Sequence, residues 1–562
     1  MLEYPSIAFR GKKYIANCDK NIKNFDVILV SGDAYVDHPS FPTAVIYRLL
    51  RHLGLSVAII VQPDWNSDDD FKVWGEPKLF FSINSGAMDS MVSNYTSASM
   101  PRSKDRLSPD GRTGLRPKRA LLVYVQKIHQ LFKKSLIIVG GVEASMRRFS
   151  HYDYWENKVK DPILMDAPAD LLMYGMGEAI YPKIIDWLKN CKENELPQIP
   201  QTVIKVKHDS WKDLIKDKYS ILPSVESCKT DKSVYMELAK ILDVSMRPGA
   251  DILIQQHPKG DIICFPPTAE VFDEEIAMMD KLKFNRRSHP IYDKPVPALE
   301  PVQFSVQSHR GCLSACSFCA LSLHQGRIIR SRSKESILRE IAEFTKHPDF
   351  KGIVPDVGGP AVNMYGWECS VGGCNRRACL YPTICKNLKH SLKPLADVLK
   401  AALKIKGVKK VFLGSGLRYD IIREDEWDIF EYIVFNHVSG QLKVAPEHFD
   451  KNVLHLMRKG ENADFGAFAK KFYESCRNHN KKLFLVPYLM TAFPGSQEGD
   501  KILVKKVKEL HLVHEQIQEF TPTPGSIGSA MYYTEKDFDG NKVWVPKTRT
   551  ERMKTRAKLQ KT

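Results

Sequence analysis

Three cysteines within eight residues form the part of this sequence best suited to chemistry. They are Cys312, Cys316 and Cys319, a C-x3-C-x2-C pattern that directly follows Gly311. Three thiolates on one short loop can bind three irons of a cubane iron–sulfur cluster. Because the loop has no fourth cysteine, one iron keeps an open coordination position, which is typical of a catalytic metal site. A zinc site and inert buried thiols remain the alternatives.

A second set of four cysteines follows within 17 residues, at C-x4-C-x4-C-x5-C spacing. Its members are Cys369, Cys374, Cys379 and Cys385. Four thiolates can hold a second iron–sulfur cluster or a structural zinc ion. The spacing matches neither the C-x2-C pattern of zinc sites nor a ferredoxin run. The sequence therefore predicts a tentative second metal site. The identity of the metal stays open, and thiols without metal are the alternative.

Composition indicates a globular protein of more than one domain. The chain has 562 residues, of which 43% are hydrophobic and 27% are charged, as in soluble globular proteins. A chain of this length usually folds into more than one domain, each with its own hydrophobic core. We see no apolar N-terminal signal, and no apolar run approaches the ~20 residues that span a bilayer. We therefore expect a cytoplasmic protein that does not span a membrane, in which clustered cysteines bind metal rather than form disulfides.

Two basic segments carry most of the formal net charge of +17. Residues 541–562 hold eight Lys/Arg against one Glu, and residues 101–119 hold seven against two Asp, which together give +12. Segments of this kind could contact RNA or another polyanion. The alternative is a solvated tail and a basic surface loop.

Strand and helix patterns alternate along both halves of the chain. Residues 1–200 predict a Rossmann-like domain with a parallel sheet, and residues 201–295 predict a connecting α/β region that ends in a Pro-rich linker. Residues 296–525 predict a partial (β/α)6 barrel whose loops after the strands carry the chemistry. The first cysteine set follows its first strand, and residues 369–385 form a Cys-rich insert after its second. Residues 526–562 form a basic C-terminal extension.

Longer motifs resemble one known family over nearly the whole chain. The stretches GDAYVDHPSF, GGVEASMRRFSHYDYW, QSHRGCLSACSFCAL, DVGGPAVNMYG, GSGLRYD, QLKVAPEHF and TPTPGSIGSAMYYT are similar to the YgiQ-type (UPF0313) radical S-adenosylmethionine (SAM) proteins. The resemblance implies an enzyme with a [4Fe–4S] cluster on Cys312, Cys316 and Cys319, whose open iron binds SAM. Reductive cleavage of SAM would give a 5′-deoxyadenosyl radical that abstracts hydrogen from a substrate. The resemblance identifies neither that substrate nor a catalytic residue.

The resemblance also implies SAM contacts outside the cysteine sets, at Phe318, Gly358, Gly359, Ser415, Glu447 and His448. The Gly358-Gly359 pair stands where the superfamily has a Gly-Gly-Glu run that meets the SAM amino group. Pro360 replaces the Glu here, so we expect that contact to use backbone carbonyls. Ordinary turns between strands and helices remain the alternative for each group.

The N-terminal domain resembles the cobalamin-binding Rossmann domain of many radical SAM enzymes. The lower-ligand motif Asp-x-His-x-x-Gly is missing, because Asp37 directly precedes His38 and no glycine follows at the required position. We therefore do not expect cobalamin here, although cobalamin bound without a protein ligand stays open. Asp33, Asp37 and His38 lie where such folds bind ligands, and Glu143 has a comparable position.

Two hypotheses for function follow. The first is a radical SAM enzyme served by an electron donor of the flavodoxin or ferredoxin type. Its later barrel motifs are similar to those of methylthiotransferases that modify tRNA, so an RNA or ribosome-associated substrate is a reasonable guess. The second is a non-catalytic zinc- and nucleic-acid-binding protein, which explains the charge but not a three-cysteine set without a fourth ligand. The sequence leaves the oligomeric state open.

Overall fold

The structure is a computed structural model that describes residues 2–191, 195–372, 374–376, 378–460, 464–512 and 517–559. The chain divides into two compact units, Met1–Gln303 and Phe304–Thr562. Both units are mixed α/β, which confirms the predicted fold class. Among the described residues, no helix combines the length and the apolar character needed to cross a bilayer.

An eleven-stranded sheet organises the first unit, while β7 and β8 form a separate two-stranded sheet. The strands are β1 (Ser6–Phe9), β2 (Lys12–Tyr14), β3 (Val27–Ser31), β4 (Val57–Val61), β5 (Phe80–Asn84), β6 (Ile137–Gly140), β7 (His151–Asp153), β8 (Lys158–Lys160), β9 (Leu171–Met173), β10 (Thr202–Val206), β11 (Tyr219–Ile221), β12 (Ile252–His257) and β13 (Gly260–Cys264). The helices are α1 (Pro42–His52), α2 (Asp69–Lys72), α3 (Ser90–Asn94), α4 (Ala120–Leu131), α5 (Gly141–Met146), α6 (Ile163–Asp166), α7 (Ile180–Asn190), α8 (Val225–Thr230), α9 (Lys232–Leu242) and α10 (Ala269–Met279).

The centre of this sheet is parallel and doubly wound. Strands β4, β3, β5, β6 and β9 are neighbours in that order, which is the 2-1-3-4-5 order of flavodoxin-like folds. The residues of β3, β4 and β5 are all buried, as expected for parallel strands covered on both faces. The sheet continues with β10, β13 and β12, which pair antiparallel, and so crosses the boundary that the sequence predicts near residue 200.

Most strands of the second unit are two residues long, whereas β22 and β23 are its two long strands. The strands are β14 (Val306–Gln307), β15 (His309–Arg310), β16 (Arg330–Ser331), β17 (Ile353–Val354), β18 (Val357–Gly358), β19 (Glu368–Cys369), β20 (Leu388–Lys389), β21 (Lys410–Val411), β22 (Gln441–Glu447), β23 (Phe484–Thr491) and β24 (Ile517–Glu519). The helices are α11 (Leu321–His324), α12 (Lys334–Phe344), α13 (Lys393–Ala402), α14 (Trp427–His437), α15 (Lys451–Met457), α16 (Phe465–Asn478), α17 (Gly499–Glu509), α18 (Ile527–Thr534) and α19 (Arg549–Leu559).

Parallel pairs join these strands in chain order. Strand β14 pairs with β18, β17 pairs with β21, and β22, β23 and β24 pair in sequence. A parallel bridge between Leu417 and Val444 joins the third segment to the fourth. Six segments therefore lie side by side as in a partial barrel, so the loops that follow them share one edge.

The C-terminal extension is only partly a solvated tail. Leu559 of α19 is buried in the apolar core of this unit. Arg552 is buried too, and it donates hydrogen bonds to the Phe520 carbonyl and to the Tyr532 hydroxyl. Helix α19 is therefore docked, and its other basic residues form its outer surface.

Candidate functional site

The loop that carries Cys312, Cys316 and Cys319 is fixed by hydrogen bonds from later parts of the unit. The Ser317 amide donates to the Met457 carbonyl over 3.0 Å, and the Ser317 hydroxyl donates to the Leu456 carbonyl over 2.7 Å. The Gly528 amide in turn donates to the Ser317 carbonyl over 2.7 Å. Helices α15 and α18 thus hold the cysteine loop at the edge where the parallel strands end.

Gly311 allows the turn into this loop. Its φ is +80°, and a Cβ at this position would lie 2.0 Å from the Ile328 carbonyl oxygen. Only glycine tolerates both the left-handed backbone and that close approach. The Cys312 amide then donates to the Gly326 carbonyl over 3.2 Å. This hydrogen bond fixes the backbone at Cys312.

The three thiols are free cysteines and are partly buried. Burial raises the pKa of Cys319 to about 12. Burial also raises the pKa of Cys316, although the nearby cations Lys459 and Arg418 oppose that rise. Metal ligation needs the thiolate form, so positive charge beside Cys316 favours the form that binds metal.

Arg418 supports the loop directly. It lies within the GSGLRYD motif, but the sequence does not identify it as a site residue. The side chain is buried, and its Nη1 donates to the Ser314 hydroxyl over 2.5 Å. The Cys312 thiol lies 3.3 Å from the same hydroxyl. A buried ion pair with Asp420 and reciprocal hydrogen bonds between Asn363 and the Arg418 backbone fix the guanidinium.

Glu447 and Lys459 form a second charged group beside the thiols. Glu447 ends β22 with a φ of +65°, and its carboxylate lies 3.5 Å from the Lys459 ammonium. The negative charge of Glu447 contributes to the raised pKa of Cys316 and Cys319. The sequence predicts Glu447 as a contact but gives no sign of Lys459, because a single lysine just after a helix carries no distinguishing signal.

The other selected residues have contacts inside the protein. The Gly358 carbonyl accepts from the Ser308 amide and hydroxyl over 2.8 and 2.9 Å, and a Cβ at Gly359 would lie 2.1 Å from the His309 ring. The Ser415 hydroxyl and amide bind the Asp356 carboxylate. These contacts give a packing reason for each residue, beside the expected role near SAM.

Phe318 and His448 also pack within the unit. The Phe318 ring meets the Phe493 ring edge-on, with centroids 6.4 Å apart. The His448 ring is buried, accepts from the Asp450 amide over 3.0 Å, and lies 3.4 Å from the Asp500 carboxylate. By contrast, a Cβ at Gly416 would meet nothing within 4 Å, so open space borders that residue.

The Cys-rich insert lies against the first cysteine loop. The Cys379 amide donates to the Leu313 carbonyl over 3.3 Å. Leu313, Trp367 and Leu388 belong to an apolar cluster that includes Cys385, and Cys312 packs against its edge. The structure therefore brings both cysteine sets to the same region of the second unit.

In the first unit, the selected residues Asp33, Asp37 and His38 each contact an arginine side chain. Asp33 forms a buried ion pair with Arg116, which comes from the basic segment 101–119, so that segment is not simply a solvated loop. Asp37 pairs with Arg48. His38 accepts from the Ser40 amide at Nδ1, and its Nε2 lies 2.9 Å from the Arg286 guanidinium. His38 is thus not free to serve as a metal ligand.

One further group in this unit has the spacing of a metal site. The side chains of Asp161, Glu226 and His257 bring ligand atoms within 4.8 Å of one another. The Lys229 ammonium, however, lies 2.7 Å from the Asp161 carboxylate and 3.1 Å from that of Glu226. Lys229 already pairs with both acids, so the group is explained as an ion-pair cluster.

Comparisons with known proteins identify the family of this chain. A family model described as Radical SAM N-terminal matches residues 16–305. A UPF0313 protein of Clostridium botulinum (strain ATCC 19397 / Type A) is 43% identical over 555 residues, which cover 96% of this chain and 85% of that protein. A UPF0313 protein of Methanosarcina mazei is 42% identical over 578 residues, covering 95% of this chain and 92% of that protein.

A solved structure shares the fold. The radical SAM methyltransferase TsrM from Kitasatospora setae, with cobalamin and a [4Fe–4S] cluster bound, has a TM-score of 0.52 and 12% identity, covering 89% of this chain and 77% of that chain. Together with the family model, this likeness defines a radical SAM enzyme. The chain belongs to the UPF0313 family, as the sequence motifs predict.

The comparison also corrects one expectation about cofactors. The sequence analysis does not expect cobalamin, but TsrM was solved with cobalamin bound to the same fold, so that expectation is not supported. The hydrogen-bonded ring of His38 does not fit a ligand to cobalt. We therefore derive no chemistry from cobalamin in this protein.

Proposed function

We propose that this radical SAM enzyme holds a [4Fe–4S] cluster on Cys312, Cys316 and Cys319 and acts on an RNA or ribosome-associated substrate. The observation that carries the cluster assignment is the loop itself. It presents three free thiols within eight residues, at the strand ends of a parallel array. An open site at the end of parallel strands is where this architecture performs chemistry.

The number of thiols in the loop supports iron–sulfur ligation rather than structural zinc. Structural zinc sites use four protein ligands, whereas this loop offers three thiolates. A cubane cluster bound by three thiolates keeps one iron open for a further ligand.

The residues around the loop suit an anionic cofactor. The chemistry supplied when the cluster and SAM are bound is one-electron cleavage of SAM, followed by hydrogen abstraction from the substrate. Arg418 and Lys459 place positive charge beside the thiolates. The Leu321 amide points at the Cys319 sulfur over 3.4 Å. Gly416 borders open space where a ligand can approach.

Two neighbouring helices support the choice of a polyanionic substrate. Helices α17 and α19 are in contact, and each presents exposed basic residues. These are Lys501, Lys505, Lys506, Lys508, Arg549, Lys554 and Lys558, and we call them the basic helix pair. Lysine and arginine clusters on one surface are the usual electrostatic footprint of nucleic-acid binding.

Anaerobic reconstitution with iron and sulfide, followed by dithionite and SAM, tests the activity. We expect 5′-deoxyadenosine from the wild type and none from Cys316→Ala. Cys191→Ala, which changes an exposed cysteine outside both sets, should retain the wild-type yield. Wild type that binds only zinc and releases no 5′-deoxyadenosine would support the non-catalytic alternative instead. Replacing dithionite by a flavodoxin or ferredoxin system then tests the proposed class of electron donor.

A further inference from the structure

The Cys-rich insert is a loop closed by a two-stranded base. Strands β19 and β20 pair antiparallel, with Cys369 opposite Leu388. Next to this pair, the Ser370 amide donates to the Asn387 carbonyl over 3.0 Å. The base brings the two ends of the insert together, and the remaining cysteines of the set lie on the loop between its strands.

The insert gathers its four cysteines into one neighbourhood. The Cys385 amide donates to the Cys379 carbonyl over 2.8 Å. Cys369 and Cys379 both pack against the apolar cluster that contains Cys385. The thiols of Cys369, Cys374 and Cys385 all lie close enough to the Cys379 thiol to interact with it electrostatically. All four are free cysteines rather than disulfides.

The loop has contacts that stabilise this arrangement without using the thiols. The Arg376 guanidinium donates to the Ala378 and Thr383 carbonyls, each over 2.8 Å. The Tyr381 hydroxyl forms a hydrogen bond with His455 of α15. The thiols therefore remain available as ligands while backbone and side-chain contacts fix the chain around them.

We propose that Cys369, Cys374, Cys379 and Cys385 hold a second metal centre, an iron–sulfur cluster separate from the one on the first loop. Four thiolates complete the ligand set of such a cluster without an open position. Four or five residues separate successive cysteines of the insert, so it lacks the C-x2-C pairs that are typical of zinc sites.

The second centre lies beside the first loop but has its own ligands. The contact between them is the backbone hydrogen bond from Cys379 to Leu313, next to Cys312. The Cys379 thiol lies near the three other thiols of the insert, whereas the Cys319 thiol lies near those of Cys312 and Cys316. The two sets therefore act as two sites, which metal analysis can separate.

The test removes one site at a time and measures metal rather than activity. The first variant carries Cys312→Ser, Cys316→Ser and Cys319→Ser, and the second adds Cys379→Ser and Cys385→Ser. After anaerobic reconstitution, we expect about four irons and four sulfides per chain in the first variant and none in the second. The electron paramagnetic resonance signal of the dithionite-reduced first variant should likewise disappear in the second.

Controls separate loss of ligands from loss of fold. Cys191→Ser, added to the first variant, should leave its iron unchanged, and circular dichroism should show that each variant remains folded. Zinc without iron in the first variant would overturn the iron–sulfur assignment. Iron and zinc both absent from a folded first variant would overturn the second centre altogether. Neither result depends on SAM cleavage, so the proposed function is judged separately.

Discussion

The Arg418 guanidinium donates a hydrogen bond over 2.5 Å to the hydroxyl of Ser314, which lies 104 positions earlier in the chain. That hydroxyl also contacts the Cys312 thiol. A buried cation from the loop after the third parallel strand thus positions the cysteine loop after the first. Arg418 is neutralised by Asp420, whose pKa it lowers although burial alone would raise it. The stability of the cysteine loop therefore depends on a buried ion pair.

Breaking this pair on one side should be strongly destabilising. Arg418→Met leaves the Asp420 carboxylate buried without its partner, so we expect a loss of about 3–5 kcal/mol in the free energy of unfolding. Arg418→Met combined with Asp420→Asn should cost less than the sum of the two single changes. Urea unfolding of the wild type, the two single variants and the double variant measures the four free energies of unfolding that this comparison needs. The exposed Arg423–Asp425 pair is the matched control, and its removal should change little. Additive losses would show that the Arg418 and Asp420 charges act independently.

Lys459 should tune the electron affinity of the cluster. Its ammonium is buried with Glu447 beside Cys316, and reduction adds negative charge to the site. Lys459→Met should therefore make the midpoint potential of the cluster more negative. We expect a shift of roughly 60 mV, which corresponds to a tenfold change in a one-electron equilibrium. Redox titration of the reconstituted protein measures this shift. Lys451→Met, which changes an exposed lysine of α15, is the control, and an equal potential in both variants would exclude the effect of Lys459.

The three-cysteine loop could be recognised in the sequence because its residues are close together in the chain. Cys312, Cys316 and Cys319 lie in one loop, and the alternation of strands and helices is periodic enough to indicate a parallel array. Arg418 and Lys459 could not be predicted in this way. Each reaches the loop only after the array has formed, and an isolated basic residue in a sequence most often indicates a solvated surface.

Glycines show a second limit of the sequence. The Gly358-Gly359 pair suggests close approach of a ligand, yet a Cβ at Gly359 would collide with the His309 ring, and one at Gly358 would lie 2.2 Å from Asp356 and Ser415 atoms. Ligand approach and internal packing select the same residue type. Only tertiary contacts distinguish the two reasons.

Gly311 and Gly416 make a matched pair for testing the loop. Gly311→Ala adds a Cβ 2.0 Å from the Ile328 carbonyl oxygen at a φ of +80°, whereas the Cβ of Gly416→Ala would meet open space. We expect Gly311→Ala to lose most of the iron bound by the first site, because the loop must shift. Gly416→Ala should keep its iron. Iron per chain should be measured in variants that also carry Cys379→Ser and Cys385→Ser, so that only the first site binds iron. Equal iron in the Gly311→Ala and Gly416→Ala proteins would contradict the role of Gly311.

Asp33 should make the stability of the first unit depend on pH. Burial raises its pKa from 3.8 to about 6, although Arg116 opposes the rise. The folded state then binds the proton more tightly than the unfolded state, so the stability that Asp33 contributes is present at low pH. It is lost as the pH rises from about 4 through 6, by at most about 3 kcal/mol.

The comparison of wild type with Asp33→Asn isolates this contribution. We expect the difference in unfolding free energy, wild type minus variant, to fall as the pH increases across that range and then to become constant. Denaturant unfolding at pH 4 to 7 measures the difference. Asp213→Asn, which changes an exposed carboxylate of the same unit, should give a nearly constant difference. A constant difference for Asp33→Asn as well would show that its carboxyl titrates normally in the folded protein.

The basic helix pair should bind RNA mainly through phosphate contacts. Replacing Lys505, Lys508, Lys554 and Lys558, which are all exposed, by Gln should weaken binding to a structured RNA. The slope of log affinity against log salt should become less steep by roughly 3, at about 0.7–0.9 for each lost phosphate contact. Fluorescence anisotropy across a salt series measures both effects. The control replaces four exposed lysines of the first unit, Lys207, Lys212, Lys216 and Lys218. Because both sets remove the same net charge, an equal loss in the control would assign RNA binding to overall charge and not to this helix pair.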